Sequence, residues 1–455
     1  MRRAILITLA LGLLAACGTQ QTARQAIAPL ALPPMNTFAP SPPRAPMLSN
    51  ATLARDFMDL TFTLENGASM PVFSRFEGPI TVQVVGAGPA SLVPDLDRLL
   101  VRLRREAGID ISRVTATAEA QITVQPVSRA QIQRVAPSAA CFVRPNVSSW
   151  AEYRARRNDP ETFWNRLRER QKMAIFLPAD VSPQEVRDCL HEEIAQALGP
   201  VNDLYRLPQS VFNDDNFHTV LTGYDMLVLR VTYDDALQTG MQRREVAARL
   251  PGILARLNPR GGQAAGAGRT ADTPDWQSAI SLATDPGERR ARRLGAAKRA
   301  VVLSNGFGAT DTRLAYAHYV LGRLLLARNP DQALGSFLAA GRIYQNRPDT
   351  AIHEAHVAMQ IAAFQLSAGR PEIALGLVDR NLDVVIQSEH AALLSLLLLI
   401  KAEALANLGR PVEADAVQTD ALAWAQYGFG NTSDIQARVA EIRAISPRTR
   451  QDPRS

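Results

Sequence analysis

The sequence predicts an α+β domain over residues 51–257, followed by an all-α helical-repeat domain over residues 287–445. In the first part, apolar runs predict three strands and one amphipathic helix. These segments are the strands Ile80–Val85, Gln121–Gln125 and Met173–Leu177 and the helix Leu92–Arg105. In the second part, units of helix, short turn and helix recur at intervals of 41 and 40 residues. Glycine and proline between the two parts predict a flexible linker over residues 258–286.

Two further helices have clear boundary signals. Ser182–Glu185 combines a capping box with proline at the first helical position, and Gly199 ends that helix. A second helix opens at Thr222, is capped together with Asp225, and runs to Tyr233. The first of these helices carries a row of polar side chains along one side.

This polar row has the spacing of a metallopeptidase site. Zinc peptidases place two metal-binding histidines at positions i and i+4, with a general-base glutamate at i+1. The pattern from Glu192 through Gly199 to Asn202 resembles the metzincin pattern with every histidine replaced. Glu193 stands at the position of the base, and Glu192, Gln196 and Asn202 stand at metal-ligand positions.

The resemblance extends beyond this helix. Leu207–Phe212 is similar to the metzincin Met-turn, with Phe212 in the place of the methionine. The order of strands and helices is also that of zincins, which implies a zincin-like fold over residues 51–257. The chain further resembles uncharacterised envelope lipoproteins of Gram-negative bacteria that carry such a degenerate domain.

The replaced histidines predict a domain with no stoichiometric zinc, no other cofactor and no general peptidase activity. Carboxylate and amide oxygens are poor substitutes for imidazole in such a zinc site. The alternative is a metal-dependent peptidase in which Glu193 is the base. Its zinc or other divalent cation would lie near Glu192, Gln196 and either Asn202 or Asp203.

Two neighbouring features are interpreted as structural. His191 lies far around the helix from Gln196, so we expect a flanking residue rather than a ligand. Asn213–Asn216 groups oxygen-bearing side chains without the spacing of an EF-hand, which predicts a solvated loop.

The first residues have the features of a bacterial lipoprotein signal. Two arginines precede the apolar run Ala4–Leu14, and Leu14–Cys17 resembles a lipobox. We therefore expect residues 1–17 to act as the signal and the mature chain to begin at Cys17, lipidated and held in a membrane. An ordinary cleaved signal without lipid is the alternative.

The residues after Cys17 extend this prediction to a location. Gly18 and Thr19 lack the aspartate that usually retains lipoproteins in the inner membrane, which favours the outer membrane. Residues 18–50 are rich in proline, alanine, glutamine and serine and predict an extended tether.

The recurring units resemble tetratricopeptide repeats. Residues that fit the repeat consensus are Leu321, Gly322, Ala333, Phe337 and Ala340. The resemblance implies stacked helices whose concave surface receives a protein or peptide partner, and a plain helical bundle is the alternative. Ala391–Ile400 is about half the length of a membrane span, so we expect a buried repeat helix.

The remaining cysteines follow from the predicted location. Export would leave Cys141 and Cys189 together in an oxidising compartment, which predicts a disulfide between them. Two buried free thiols are the alternative.

Composition limits the classes of partner. Hydrophobic residues make up 46% and charged residues 21% of the chain, which suits packed soluble domains. The formal net charge of +6 includes local runs such as the basic tail over residues 446–455, and we expect solvated faces or anionic lipid contact rather than a nucleic-acid partner. The sequence thus predicts a membrane-anchored periplasmic lipoprotein that binds protein or peptide partners as a scaffold.

Overall fold

A five-stranded mixed sheet in the order β2-β1-β3-β5-β4 forms the centre of the first half of the chain. Its strands are β1 (Ile80–Val84), β2 (Ile111–Arg113), β3 (Ile122–Val127), β4 (Phe142–Pro145) and β5 (Met173–Pro178). The pairs β1–β2, β1–β3 and β3–β5 are parallel, whereas β4 runs antiparallel to β5 at one edge.

The computed structural model describes residues 31–39, 45–115, 119–262 and 270–447. The predicted signal and lipidation site at Cys17, much of the tether and most of the basic tail lie outside these described residues.

Seven helices of the described chain surround the sheet. They are α1 (Asn50–Phe62), α2 (Leu92–Arg102), α3 (Arg129–Val135), α4 (Trp150–Arg156), α5 (Pro183–Leu198), α6 (Gly223–Thr232) and α7 (Arg243–Leu257). A π-helical turn, Leu103–Ala107, extends α2.

Strand β5 is buried along its whole length, as its continuous apolar sequence requires in a sheet covered on both faces. Ile175 and Leu177 belong to the large core that includes residues of α1, α2, α5, α6 and α7. Phe176 points to the other face, where it packs with Trp150 and Tyr153 of α4. The sheet therefore has a main core on the side of α5 and a smaller aromatic core on the side of α4.

The rest of the described chain is helical. Its helices are α8 (Pro274–Thr284), α9 (Arg290–Ser304), α10 (Thr312–Leu325), α11 (Pro330–Tyr344), α12 (Ala351–Ser367), α13 (Pro371–Asp379), α14 (Leu382–Gln387), α15 (Ala391–Asn407), α16 (Pro411–Phe429) and α17 (Thr432–Ile445). Short 3-10 turns occur at Pro160–Thr162, Trp164–Arg166, Pro259–Gly262 and Asn305–Phe307. The chain is thus an α/β region followed by a helical region, and the described residues from Leu32 onward form one compact unit.

The predicted strands and helices are present as β1, β3, β5, α2, α5 and α6. Strand β2 and the helices α1, α3, α4 and α7 were not predicted. In β2 only Ile111 is buried, while Ser112 and Arg113 are exposed, so three residues at a sheet edge leave no periodic signal.

The repeated proline segments each begin a helix. Pro330, Pro371 and Pro411 occupy the first turns of α11, α13 and α16. Gly369 and Gly409, just after α12 and α15, have φ values of 72° and 73°, a left-handed conformation that favours glycine. The helices pack as successive pairs, α10 with α11, α12 with α13, and α15 with α16.

Helix α8 lies inside the segment predicted to be a flexible linker. Its Trp276 is fully buried, and the indole Nε1 donates a hydrogen bond of 2.7 Å to Ser304 Oγ in α9. Eleven residues between two stretches rich in glycine and proline gave too short a pattern to predict this helix. Residues 263–269 of the predicted linker are outside the described residues.

Part of the predicted tether packs on the helical region. We call residues 33–38 the strap. The backbone N–H of Asn36 donates to Ala423 O at 3.2 Å, and the Phe38 ring stacks on Trp424 with centroids 4.3 Å apart. The strap therefore lies along α16.

The apolar run Ala391–Ile400 forms the first part of α15. Leu397 and Ile400 are fully buried against neighbouring helices. Within the described ranges, no helix combines the length and apolar character needed to cross a membrane.

Candidate functional site

Helix α5 has the boundaries that its sequence predicts. Ser182 Oγ accepts a hydrogen bond from the backbone N–H of Glu185, and Pro183 occupies the first turn. Gly199 caps the other end, and a Cβ at this position would lie 2.8 Å from Thr232 Cγ2 of α6. The glycine thus ends the helix and also allows α6 to approach it closely.

The predicted disulfide between Cys141 and Cys189 is confirmed. Their Cα atoms are 6.0 Å apart, and the bridge spans 48 residues of sequence. It joins the residue before β4 to the middle of α5. The edge strand and the polar helix are therefore fixed to each other covalently.

The side chains at the predicted metal-ligand positions make separate hydrogen bonds. Gln196 Nε2 donates to Asp203 Oδ2 at 3.5 Å. The buried Asn202 directs Nδ2 away, to the backbone oxygen of Asp59 at 3.2 Å. Asn202 therefore holds the end of α1. In the part of the chain that the structure describes, no three histidine, cysteine or acidic side chains are arranged to hold a metal ion.

Glu193 is buried at the position of the predicted base, with 3% of its surface exposed. Its carboxyl group accepts from the backbone N–H of Val143 in β4, and no hydrogen-bond partner for Oε2 is found in the described structure. Burial, together with the nearby carboxyl groups of Glu192 and Glu65, raises the pKa of Glu193 well above its ordinary value. The raised pKa favours the protonated form of this side chain, and the protonated form cannot accept a proton.

Other carboxyl groups surround Glu193. We call Glu65, Glu192, Glu193, Asp203 and Asp214 the acidic cluster. Burial, together with Asp214 and Glu65, raises the pKa of Glu192 to about 8. Desolvation of its carboxyl group and the nearby Glu65 raise the pKa of Asp214 to about 6, although the residue as a whole is exposed. Asp203 is buried and hydrogen-bonded to Glu65, and its pKa is raised well above the ordinary value. Ionisation of one of these groups therefore disfavours ionisation of its neighbours.

Phe212, at the predicted Met-turn position, is completely buried in the main core. Its backbone oxygen accepts from the N–H of Leu204, and its own N–H donates to Ser210 Oγ. Asp225 then ties this turn to α6, because its carboxylate accepts from the N–H groups of Val211 and Thr222.

The segment that follows leaves the α/β region and enters the helical region. We call residues 205–219 the inserted loop. Phe217 is 2% exposed, and its ring lies among aromatic and imidazole rings of α10, α11 and α12. These rings belong to Tyr316, Tyr319, Tyr344, His353 and His356. The inserted loop is thus held by the helices.

The prediction of a solvated loop at Asn213–Asn216 is only partly right. Asp214 and Asn216 are exposed, but Asn213 is buried and donates to Leu207 O at 3.0 Å. Asp215 accepts from His353 Nε2 at 2.9 Å. A small cavity of about 60 Å³ lies between this loop and α5, lined by Asp188, Glu192, Val211, Asn213, Asp214, Asn216, His218 and Thr219.

His191 has a structural role that its position on the helix did not reveal. It is 4% exposed, and its Nδ1 accepts a hydrogen bond of 3.0 Å from the backbone N–H of Leu221. Burial lowers the pKa of His191 well below its ordinary value, so the ring is a neutral acceptor. His191 therefore joins α5 to the start of α6.

Arg187 connects α5 to the helical region and was not identified from the sequence. Its Nη1 lies 3.4 Å from Glu389 Oε2, and its Nη2 donates to Thr219 Oγ1 at 3.3 Å. The guanidinium also lies over the rings of Phe38 and Tyr427, at 5.7 and 5.2 Å from their centroids. One buried cation thus contacts the strap, the inserted loop and two parts of the helical region.

Comparison with known proteins identifies the first region at the level of family. Residues 50–252 match the family model described as "Protein of unknown function (DUF2927)". A search of the curated proteins found no match. The matched range begins at the first residue of α1 and ends within α7, so it contains the acidic cluster, the disulfide and the inserted loop. Residues 50–252 of this chain are therefore a DUF2927 domain, a domain of unknown function.

Proposed function

We propose that the protein is a membrane-anchored periplasmic lipoprotein that binds protein or peptide partners as a scaffold. In this proposal the α/β region is a metallopeptidase-like domain that has lost catalysis, and the helical region is tetratricopeptide-like. The observation that carries it is the use of the predicted ligand positions in structural hydrogen bonds: Asn202 bonds to α1 and Gln196 bonds to Asp203.

The chemistry of the side chains supports the loss of catalysis. Metzincin-type zinc sites rely on neutral imidazole nitrogens, and Glu192, Gln196 and Asn202 offer only oxygen and amide groups. A general base must be ionised to take a proton, whereas burial raises the pKa of Glu193 and so opposes its ionisation.

The fold supports a structural role for the helical region as well as a binding role. The inserted loop occupies its surface near α10, α11 and α12, and the strap lies along α16. A partner would therefore contact other exposed surface of these helices. Exposed apolar side chains available there are Val302, Leu326, Leu338, Ile373 and Val412.

The disulfide supports the proposed compartment. Disulfides form and persist in oxidising surroundings such as the bacterial periplasm and are rare in the cytosol. The lipobox-like Leu14–Cys17 supports anchoring in a membrane, with the outer membrane favoured by Gly18 and Thr19.

A metal-dependent peptidase is a second candidate, in which carboxyl groups of the acidic cluster would have to rearrange to become the metal ligands. Glu65 and Asp214 add carboxylates that the sequence did not associate with this site. Oxygen-rich sites suit hard cations such as calcium or magnesium better than zinc. In this candidate a nearby cation would lower the pKa of Glu193, and the ionised carboxylate would then be the base.

Fractionation and partner capture test the proposed function. Wild type and Cys17→Ala would be expressed with labelled palmitate, and envelopes would be separated into inner and outer membranes. We expect label and outer-membrane location for wild type only, with the variant released into the periplasm. Unlabelled wild type, or a variant that stays in the outer membrane, would contradict anchoring.

A paired capture experiment tests scaffolding. Wild type and Val412→Asp/Ile373→Asp would be captured from detergent-solubilised, cross-linked envelopes, because both residues are exposed and their change should not disturb the core. We expect specific proteins with wild type and fewer of them with the variant. Equal recovery with both proteins would refute binding at this surface.

A further inference from the structure

Histidines are concentrated where the inserted loop meets the helical region. Four of the six histidines in the chain gather there, and we call His218, His353, His356 and His390 the histidine cluster. The ring centroids of His218 and His353 are 5.8 Å apart, and those of His356 and His390 are 4.9 Å apart. These residues come from the loop, from α12 and from the start of α15.

The ring that anchors the inserted loop lies within this cluster. The centroid of Phe217 is 4.4 Å from that of His353 and 4.7 Å from that of His356. Phe217 is 2% exposed, so a charge on an imidazole beside it would lie in a dry, packed environment at a cost in free energy. The packing of the loop on the helices therefore includes direct contacts with two of these rings.

The surroundings of His356 and His390 favour their neutral forms. His390 Nδ1 accepts from the backbone N–H of Leu393 at 3.2 Å and caps α15. His218 Nε2 donates to Pro208 O at 2.9 Å, and no hydrogen-bond partner for His356 Nε2 is found in the described structure. A proton on His390 Nδ1 would face another donor, and a proton on His356 Nε2 would lack an acceptor.

Little negative charge faces the cluster. Asp215 accepts from His353 Nε2 at 2.9 Å and is the carboxylate in contact with a cluster ring. Arg187 and Arg323 lie on other sides and would repel added positive charge, while Glu389 is already paired with Arg187. The tyrosines Tyr316, Tyr319 and Tyr344 contribute no charge, because burial raises the pKa of each.

The carboxyl groups on the side of α5 do not compensate in acid. Asp188, Glu192 and Asp214 line the same small cavity as His218. Burial raises the pKa of Glu192 to about 8, that of Asp214 to about 6 and that of Asp188 well above its ordinary value. Glu192 is therefore largely neutral, and Asp214 becomes neutral, over the pH range in which exposed histidines become charged.

We propose that the histidine cluster is an acid-sensitive latch, which releases the inserted loop from the helical region when the imidazoles of His218, His356 and His390 are protonated. Release would expose Phe217 and its aromatic site on α10–α12. It would also open the cavity beside α5. The latch does not depend on the proposed location or on the proposed loss of catalysis.

The direction of the pH dependence follows from burial. Burial lowers the pKa of His218 and of His390 to about 3, and it lowers that of His356 well below its ordinary value. The closed interface is thus fully stable above the ordinary histidine pKa of 6.5, and it loses stability as the pH falls toward 3. Between pH 7 and pH 5, one such histidine raises the open-to-closed ratio about 25-fold.

Hydrogen exchange measured by mass spectrometry tests this latch in the purified protein with its disulfide intact. Exchange rates corrected for intrinsic pH dependence would be compared at pH 7 and pH 5 for peptides from the inserted loop and from β5. We expect exchange in the loop to rise about 25-fold or more, with little change in β5. A loop that exchanges equally at both pH values would overturn the proposal.

Two variants assign the effect to the cluster. His356→Gln/His390→Asn removes two titrating rings and keeps a capping acceptor at position 390, so we expect an acid response reduced by at least about tenfold. His318→Gln is the matched control, because His318 is a partly buried histidine in α10 outside the cluster. In this variant the inserted loop should respond to acid as it does in wild type. A double variant that responds like wild type refutes the proposal.

A third variant covers the case in which the double variant does not fold at pH 7. Asp215→Asn removes the carboxylate that contacts His353 while its amide oxygen can still accept a hydrogen bond. We expect the loop to open at higher pH in this variant than in wild type. An unchanged or lower opening pH would contradict the latch.

Discussion

Phe217→Ala should detach the inserted loop from the helical region and lower stability by about 4 kcal/mol. The ring is 2% exposed, so the change removes nearly all of a buried aromatic side chain. Removing about 150 Å² of buried apolar surface at about 25 cal/mol per Å² gives that value, and Phe→Ala changes in cores cost about 3–5 kcal/mol. The lost contacts are those with the tyrosines and histidines of α10, α11 and α12.

A matched control separates loss of stability from loss of the interface. Phe73→Ala removes an equally buried ring from the main core of the α/β region, where the backbone of Phe73 bonds to Gly240 and Met241 rather than to the inserted loop. Both variants should unfold at lower urea concentration than wild type, as followed by circular dichroism. Limited proteolysis below the unfolding transition should cut within residues 205–219 only in Phe217→Ala.

Two results are required if Phe217 anchors the loop. Phe217→Ala must lose clearly more than about 1 kcal/mol, since a smaller loss would mean that the ring is not packed as described. Its loop must also become more sensitive to protease than that of Phe73→Ala. Equal cleavage of the two variants would refute the view that Phe217 anchors the loop.

Three further predictions address the disulfide, Arg187 and Glu193. Reduction of the Cys141–Cys189 bridge should lower the free energy of unfolding by about 4 kcal/mol for a loop of 48 residues, measured by urea unfolding with and without reductant, and Cys141→Ala/Cys189→Ala should be insensitive to reductant. Arg187→Met should lower the free energy of unfolding by about 3 kcal/mol, because it leaves Glu389 without its buried partner. Arg243→Met, at an exposed ion pair, should lower it by less than about 1 kcal/mol. Equal losses in the two variants would contradict the role of Arg187. Because its pKa is raised, the contribution of Glu193 to stability is complete below about pH 4.5 and is lost as the pH rises through the raised pKa. The melting temperature should therefore fall less between pH 5 and pH 8 in Glu193→Gln than in wild type. An identical fall in the two proteins would show that Glu193 does not titrate in this way.

Local signals explain which parts of the fold were predictable. Helix α5 was predicted to within a residue because Ser182, Pro183 and Gly199 mark its ends by short-range chemistry. Helix α8 was missed because its main anchor, Trp276, is held by Ser304, Tyr205 and Phe307, which are distant in sequence. Short elements whose stability comes from tertiary packing leave little periodicity to detect.

In the candidate site, too, only the residues that share one helix could be associated with one another from the sequence. Glu192, Glu193 and Gln196 could be associated with one another because one helix sets their spacing. Glu65 and Asp214 join the acidic cluster only through the turn after α1 and the inserted loop, so no spacing rule connects them to α5. Asn202 was assigned a ligand position, yet its hydrogen bond to Asp59 O depends on where α1 packs.

The histidine cluster shows this limit most clearly. His218 lies in the predicted α+β domain, whereas His353 and His390 lie far apart in the predicted helical-repeat domain. Their proximity follows from the insertion of Phe217 between helices of the second region. Contacts between regions depend on surface shape, which a pattern of apolar residues does not encode.

Metal content and peptidase activity, measured together on one preparation, test the central claim most directly. Wild type and Glu193→Gln would be purified without chelator, analysed for bound metals, and assayed on casein and peptide libraries with added zinc, calcium, magnesium or manganese. We expect less than stoichiometric metal in both proteins and no cleavage that depends on Glu193, because the predicted ligand positions Glu192, Gln196 and Asn202 carry no imidazole and the raised pKa of Glu193 opposes its ionisation. One tightly bound metal ion per chain, together with proteolysis that Glu193→Gln abolishes, would contradict the account and establish the peptidase.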